Sequence, residues 1–109
     1  MSAKITTSDW AAWVNLMMPG PTPSGTLHVV GKVDTHSANF AFLEKAVPQG
    51  INPAILLLNL RTEIGIAPAA NPQKVSYTEA LSAKDQYSEV QVWCHGKLEA
   101  TITKIEEVH

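Results

Sequence analysis

The chain of 109 residues is close to the commonest size of a single domain. Its 45% hydrophobic and 17% charged residues are typical of a globular protein rather than a disordered one. The formal net charge of −2 and the scattered positions of lysine and arginine argue against nucleic-acid binding, which requires a clustered basic surface. We therefore predict one domain over residues 1–109 with no nucleic-acid partner.

Three features of the sequence bear on the cellular compartment. The N-terminal residues MSAKITTSDW have neither the basic start nor the long apolar run of a secretory signal. The longest apolar runs, such as residues 54–58, are too short to span a bilayer. Cys94 is the only cysteine, so an intramolecular disulfide or a thiolate metal cluster cannot form. We expect a cytoplasmic protein with no membrane partner.

The first candidate element is SDWAAWVNLMM, residues 8–18. Its apolar positions 10, 13, 14 and 17 follow the i, i+3, i+4, i+7 spacing of a helix, and Ser8 or Asp9 is suited to cap its start. Their neighbours are also apolar, so the period of two that marks a strand fits nearly as well. Of these two alternatives we favour a short helix that covers an open edge of the core.

Strand-like alternation follows the first proline-rich break. In TLHVVGKVDTH, residues 26–36, the odd positions Leu27, Val29 and Val33 are apolar. Polar residues occupy positions 28, 32, 34 and 36, and this alternation predicts a strand with one solvated face. KVSYTEAL, residues 74–81, alternates in the same way. NFAFLEKAV, residues 39–47, is a weaker strand candidate.

The segment PQGINPAILLLNLR, residues 48–61, predicts a tight corner that leads into a buried strand. Asn52 precedes a proline and is therefore restricted to extended geometry, which starts a strand rather than a helix. Three leucines then share one face of this strand and are predicted to point into the core: Leu56, Leu58 and Leu60.

The second face of the same strand carries Ile55 and Leu57 before it turns polar. A strand that is apolar on both faces is either central in its sheet or covered on its second side. The cover would be the tryptophan segment, residues 10–18, or a second copy of the chain. We predict a homodimer whose largely apolar interface includes the tryptophan segment.

The final strand candidates, SEVQVWC and KLEATITKI, form a predicted hairpin. A two-residue turn would pair Val92 with Glu99, whereas a three-residue loop of residues 94–96 pairs Val92 with Leu98. The longer loop also pairs Val90 with Ala100. Because the buried face sets the register, we predict the three-residue loop, with Gly96 at positive φ.

Short strands separated by turn signals predict an all-β sandwich or small barrel of five to seven short strands, with or without the N-terminal helix. TLHVVGKVDT, followed by PQGINPAILLLNL and a closing hairpin, resembles a group of small bacterial β-sandwich proteins of unassigned activity. The resemblance covers the chain from Trp10 to Glu106. It implies an immunoglobulin-like β-sandwich and no particular activity.

The candidate metal ligands are His28, Asp34 and His36, because two imidazoles and a carboxylate on one strand face are reasonable ligands for zinc. Lys32 would place a cation among them, so we favour a solvated polar face. Cys94 is adjacent to a histidine, but neighbours on a strand point to opposite faces, and we interpret it as a packing residue.

Two classes of function are consistent with the sequence. The first is a non-catalytic binding or interaction module with an apolar self-association surface. Its predicted interface residues are Trp10, Trp13, Ile55 and Leu57. The second is a small-molecule- or metal-binding protein that uses the histidine face together with Trp93 and Tyr77. Neither a Gly-x-Ser-x-Gly nor a His-Glu-x-x-His motif occurs, so we expect no enzyme activity and no cofactor.

Overall fold

The computed structural model describes residues 5–16, 25–36, 39–64 and 71–108. Within these ranges the chain forms eight strands and no helix. In chain order the strands are β1 (Thr6–Asn15), β2 (Thr26–Asp34), β3 (Asn39–Lys45), β4 (Ile55–Ile64), β5 (Gln73–Ala80), β6 (Glu89–Cys94), β7 (Lys97–Ile102) and β8 (Ile105–Val108).

The strands form two four-stranded sheets that enclose one core. The order is β5-β2-β1-β8 in the first sheet and β3-β4-β6-β7 in the second. Neighbouring strands are antiparallel, except that β8 is parallel to β1 and β6 is parallel to β4. The predicted all-β sandwich is confirmed, although it has more strands than the five to seven expected. The immunoglobulin-like class implied by the resemblance stays a prediction.

The predicted inner face of the leucine strand is confirmed. Leu56, Leu58 and Leu60 are at most 2% exposed and lie between the sheets. Their strand, β4, lies between β3 and β6 and is therefore central in its sheet, one of the two alternatives predicted for a strand that is apolar on both faces. The matching layer of the first sheet comes from the odd positions of β2, all fully buried: Leu27, Val29 and Val33.

Residues 8–15 of the first segment belong to a strand, so the predicted short helix is wrong there, and residues 17 and 18 lie outside the described residues. β1 pairs with β2, and from Ala11 onward its side chains alternate, so that Ala12 and Val14 enter the core and Trp13 faces outward. A β-bulge precedes this stretch, where residues 9 and 10 fall opposite Gly31. Trp10, Ala12 and Val14 lie on the core side at every second position. The helical spacing was only apparent, because Trp13 on the outer face is apolar as well.

Gly31 provides the space that this bulge requires. A Cβ at this position would lie 2.3 Å from Cε3 of Trp10. The indole of Trp10 therefore packs directly on the backbone of β2, on the core side of the first sheet. Any larger residue at Gly31 would have to displace the rigid indole.

The corner between β3 and β4 (residues 46–54, the β3–β4 corner) is held by Gln49. The side-chain nitrogen of Gln49 donates to the carbonyl oxygens of Ala46 at 2.7 Å and Leu57 at 2.8 Å, and its oxygen accepts from the Leu57 N–H at 2.9 Å. This amide acts like a strand backbone and extends the ladder of β4 past the end of β3. Gly50 lies against Leu57, since a Cβ there would be 3.2 Å from Cδ1. The corner thus covers the outer side of Leu57.

The β6–β7 hairpin has a two-residue turn, so the predicted three-residue loop is wrong. Cys94 pairs with Lys97, and His95 and Gly96 form the turn at φ values of 51° and 76°. Positive φ at both central positions matches the right-handed twist of the flanking strands. The positive φ predicted for Gly96 is confirmed.

A bulge after this turn changes the register. The predicted pairs Val92–Leu98 and Val90–Ala100 are wrong, because Val92 lies opposite Ala100 and Val90 lies opposite Ile102. One extra residue in β7 restores the apolar pairing that a two-residue turn alone would lose. The buried face still determines the register, as expected, but through a bulge and not through loop length.

Replacing Gly96 by valine is expected to destabilise the protein by about 1–3 kcal/mol. No atom lies within 4 Å of a Cβ at this position, so the cost arises from the positive φ and not from a clash. Urea unfolding of the variant and the wild type measures the difference. Equal unfolding midpoints would contradict the left-handed conformation of Gly96.

Candidate functional site

A groove lies at the edge of the sandwich where β1, β7 and β8 meet, and we call it the edge groove. Its volume is about 620 Å³, within the range of about 300–1,000 Å³ that is typical of ligand sites. β8 pairs only with residues 12–15 of β1. On this side, residues 6–11 of β1 have no neighbouring strand in the part of the chain that the structure describes. The groove has apolar walls formed mainly by Trp10, Ala11, Trp13, Ile102 and Val108.

Trp13 forms the outer wall of the edge groove. It lies on the solvent face of the first sheet, directly across from His28 on β2. The two rings are stacked, with centroids 5.3 Å apart and planes inclined by 14°. The imidazole supports one face of the indole, and this contact fixes the ring beside the groove.

Trp10 contributes from the core side of the same groove. Its Nε1 is buried and has no hydrogen-bond partner among the described residues. The ring atoms nearest Gly31 include Cε3 and Cζ3, so the nitrogen edge of the indole is the one turned away from that glycine. An unpaired buried donor costs about 1–3 kcal/mol.

The rim of the edge groove is polar and electrically balanced. Nζ of Lys104 lies 3.5 Å from a carboxylate oxygen of Glu106, and both side chains are largely exposed. Thr101 and Thr103 add exposed hydroxyl groups beside them. An exposed ion pair contributes little stability, so both charges remain available to a partner.

The four predicted interface residues do not form one surface. Trp10 and Trp13 line the edge groove, whereas Ile55 and Leu57 lie on the outer face of the second sheet. Residues 10–15 of the tryptophan segment belong to the first sheet and do not cover them. Leu57 is instead covered in part by the β3–β4 corner, which was not among the covers considered from the sequence.

The three candidate metal ligands are not brought together. His28 stacks on Trp13, whereas Asp34 and His36 lie next to each other at the end of β2. The backbone N–H of His36 donates to Asp34 Oδ1 at 2.8 Å. The ring nitrogen Nε2 of His36 lies 2.9 Å from the hydroxyl oxygen of Thr6. Among the described residues, no group of three histidine, cysteine or acidic side chains is placed to hold a metal ion.

A smaller pocket of about 320 Å³ lies at one end of the outer face of the second sheet. Its polar and aromatic walls include Asn59, Arg61, Trp93 and His95. Tyr77, which the small-molecule hypothesis grouped with Trp93, belongs to β5 in the first sheet. The structure therefore separates the two aromatic residues on which that hypothesis depended.

A cluster of four polar side chains closes the edge of the sandwich opposite the groove, and we call it the Glu79 cluster. Glu79 on β5 accepts hydrogen bonds from the hydroxyl groups of Tyr77 at 2.6 Å and Tyr87 at 2.7 Å. Nζ of Lys45 on β3 lies 3.0 Å from the same carboxylate. The cluster joins an edge strand of each sheet and the segment that follows β5.

The pKa shifts in this cluster indicate a structural role. Burial raises the pKa of Glu79, but the hydrogen bonds from Tyr77, Tyr87 and Lys45 outweigh it and the net pKa is lowered. Burial, together with the bond to Glu79, raises the pKa of both tyrosines. The bond to Glu79 is the main cause of the raised pKa of Lys45. Each shift stabilises the charge state that the group already has at neutral pH, so none is poised for proton transfer there.

Sequence reasoning missed this cluster. Lys45 is distant in the chain from the other three members, at positions 77, 79 and 87, and only the fold brings it to them. The one available signal was that Tyr77 and Glu79, two positions apart on a predicted strand, share one face of it.

Cys94 is a packing residue, as interpreted from the sequence. It belongs to the hydrophobic core and is 6% exposed. Burial raises the pKa of its thiol, so the reactive thiolate is disfavoured. The adjacent His95 lies in the exposed turn.

Comparison with models of protein families, with curated proteins and with solved structures found no match. In the described ranges of the chain, no helix is long and apolar enough to cross a membrane. Function is therefore inferred from the geometry of the chain itself.

Proposed function

We propose that the protein is a non-catalytic interaction module that self-associates through the edge groove, with a homodimer as the smallest assembly. The observation that carries this proposal is the position of Trp10 and Trp13 in one groove, beside the part of β1 whose side away from β2 has no strand among the described residues. Tryptophan is enriched in the centres of protein–protein contacts, where it buries a large area.

The electrostatics of the molecule support binding rather than catalysis. The Glu79 cluster holds its members in their neutral-pH charge states, as its pKa shifts indicate. The two charges at the groove rim, Lys104 and Glu106, pair with each other. The rim pair lies at the proposed contact surface, whereas the Glu79 cluster lies at the opposite edge of the sandwich and has a structural role.

The cytoplasm is the proposed location, because a free, buried cysteine such as Cys94 is ordinary in a reducing compartment. The immunoglobulin-like class is proposed from the resemblance in sequence. A solved structure with the same strand order in an established immunoglobulin-like domain would support this class.

Light scattering tests self-association. We expect the wild type to show a mass above that of one chain, and this mass should rise from micromolar to millimolar concentration. Ala11 is exposed in the groove, so Ala11→Arg should fill the groove and reduce the mass to one chain. Thr78→Arg, at an exposed position of the same sheet, is the matched control and should associate like the wild type. A single-chain mass for the wild type at every concentration would contradict the proposal.

A further inference from the structure

The β3–β4 corner presents two aliphatic side chains to solvent. Val47 is 91% exposed and Ile51 is fully exposed, although valine and isoleucine are usually buried. The corner covers part of Leu57, but it exposes the apolar side chains of Val47 and Ile51 in its place. Large exposed apolar side chains that lie close together are typical of contact surfaces.

This corner is held in one conformation. Asn52 adds two hydrogen bonds to the three of Gln49. The backbone carbonyl oxygen of Asn52 accepts from the Ile55 N–H at 3.2 Å, and the side-chain oxygen of Asn52 accepts from the Ala54 N–H at 3.0 Å. A loop fixed before contact loses little conformational entropy when it binds. Val47 and Ile51 are thus displayed on a preorganised support.

The corner also carries no charge. Residues 46–60 contain no lysine, arginine, aspartate or glutamate. An uncharged loop can enter an apolar groove without burying an unpaired charge, which would be costly. The edge groove offers matching apolar walls at Trp13, Ile102 and Val108.

The two features lie at opposite edges of the sandwich. The corner joins β3, the outermost strand of the second sheet, to β4, whereas the groove lies beside β7 at the other edge of that sheet. A corner cannot reach the groove of its own chain, but it can reach that of a neighbour. Conversely, the bulge at residues 9 and 10 interrupts the free edge of β1, which disfavours a symmetric pairing of β1 with its copy.

We propose that the β3–β4 corner of one copy, through Val47 and Ile51, occupies the edge groove of a second copy in a head-to-tail contact. This inference rests on the proposed self-association and specifies its geometry. A head-to-tail contact leaves one free corner and one free groove on each dimer. The homodimer is then the first member of a series that closes into a ring or extends as a filament.

Complementation between two variants tests this geometry. Ile51→Asp disables the corner and leaves the groove intact, whereas Ala11→Arg blocks the groove and leaves the corner intact. Both positions are exposed, so each variant should fold, which circular dichroism and thermal melting verify. Each variant alone should lose association by about tenfold or more. An equimolar mixture should form a complex of two chains and no larger species.

Ser82→Asp places the same charge at an exposed position between β5 and β6 and should associate like the wild type. If Ile51→Asp associates as strongly as the wild type while Ala11→Arg does not, the groove meets another surface and the head-to-tail inference is wrong. The proposed self-association would survive that result. A mixture that stays monomeric while the wild type associates would also overturn the inference. A wild type that never associates would overturn both proposals.

Discussion

Replacing Leu58 by alanine is expected to destabilise the protein by about 2–5 kcal/mol, because the truncation leaves a cavity in the centre of the core. Leu58 is fully buried, and its strand β4 is flanked by β3 and β6. The neighbouring strands restrict backbone movement, so the site cannot collapse to fill the cavity. A small domain has about 5–15 kcal/mol of stability in total, and this single change should remove a large share of it.

Urea unfolding measures this effect, and Leu57→Ala is the matched control. Leu57 is the next residue on the same strand, but it faces away from the core and is only partly buried beneath the β3–β4 corner. The control should therefore lose less stability than Leu58→Ala. Equal losses for the two variants would show that the inner and outer faces of β4 are assigned incorrectly.

The alternation of apolar residues was sufficient to predict the sandwich and much of its core. The core residues Leu27 and Val29 of β2 are two positions apart, and so are those of β4: Leu56, Leu58 and Leu60. Each lies where that period places it. Continuous strands with one buried face are predictable because the side chains of neighbouring residues must point to opposite sides.

Predictions failed where an apolar residue lies on the outer face and where a β-bulge shifts the pairing. The outward-facing Trp13 gave β1 an apparent helical spacing, and the bulge in β7 changed the pairing of Val92. A bulge depends on a long-range pairing, so a single strand gives little sign of it. Gly31 was visible in the sequence, but its contact with Trp10 depends on the approach of two separate strands.

The candidate site was predictable only in part. Trp10 and Trp13 were singled out as surplus apolar residues, and both line the edge groove. The outward projection of Val47 and Ile51 was not predicted, because it depends on the hydrogen bonds of Gln49 to the backbone of β4. Side-chain amides that replace a strand neighbour have no periodic signal in the sequence.

The Glu79 cluster is expected to make the fold sensitive to acid. The carboxyl group of Glu79 has a lowered pKa in the folded protein, despite the opposing effect of burial. Ionised Glu79 therefore stabilises the fold when the pH is above the ordinary glutamate value of about 4.3. This contribution is lost as the pH falls through the lowered pKa of the folded state, because protonation removes the acceptor charge that binds Tyr77, Tyr87 and Lys45.

Glu79→Gln should lower the free energy of unfolding at neutral pH by about 1.5–3 kcal/mol, the range for hydrogen bonds to a charged group. In acid the wild-type carboxyl becomes neutral like the amide, so the difference between the two proteins should shrink. Chemical denaturation of both proteins from neutral pH to about pH 3 measures this convergence.

Glu44→Gln is the matched control: Glu44 pairs with Arg61 at 2.8 Å, but both side chains are well exposed. The free energy of unfolding of the Glu44→Gln variant should fall by less than about 1 kcal/mol. A difference between wild type and Glu79→Gln that remains constant across this pH range would show that the carboxylate charge does not hold the two sheets together at this edge.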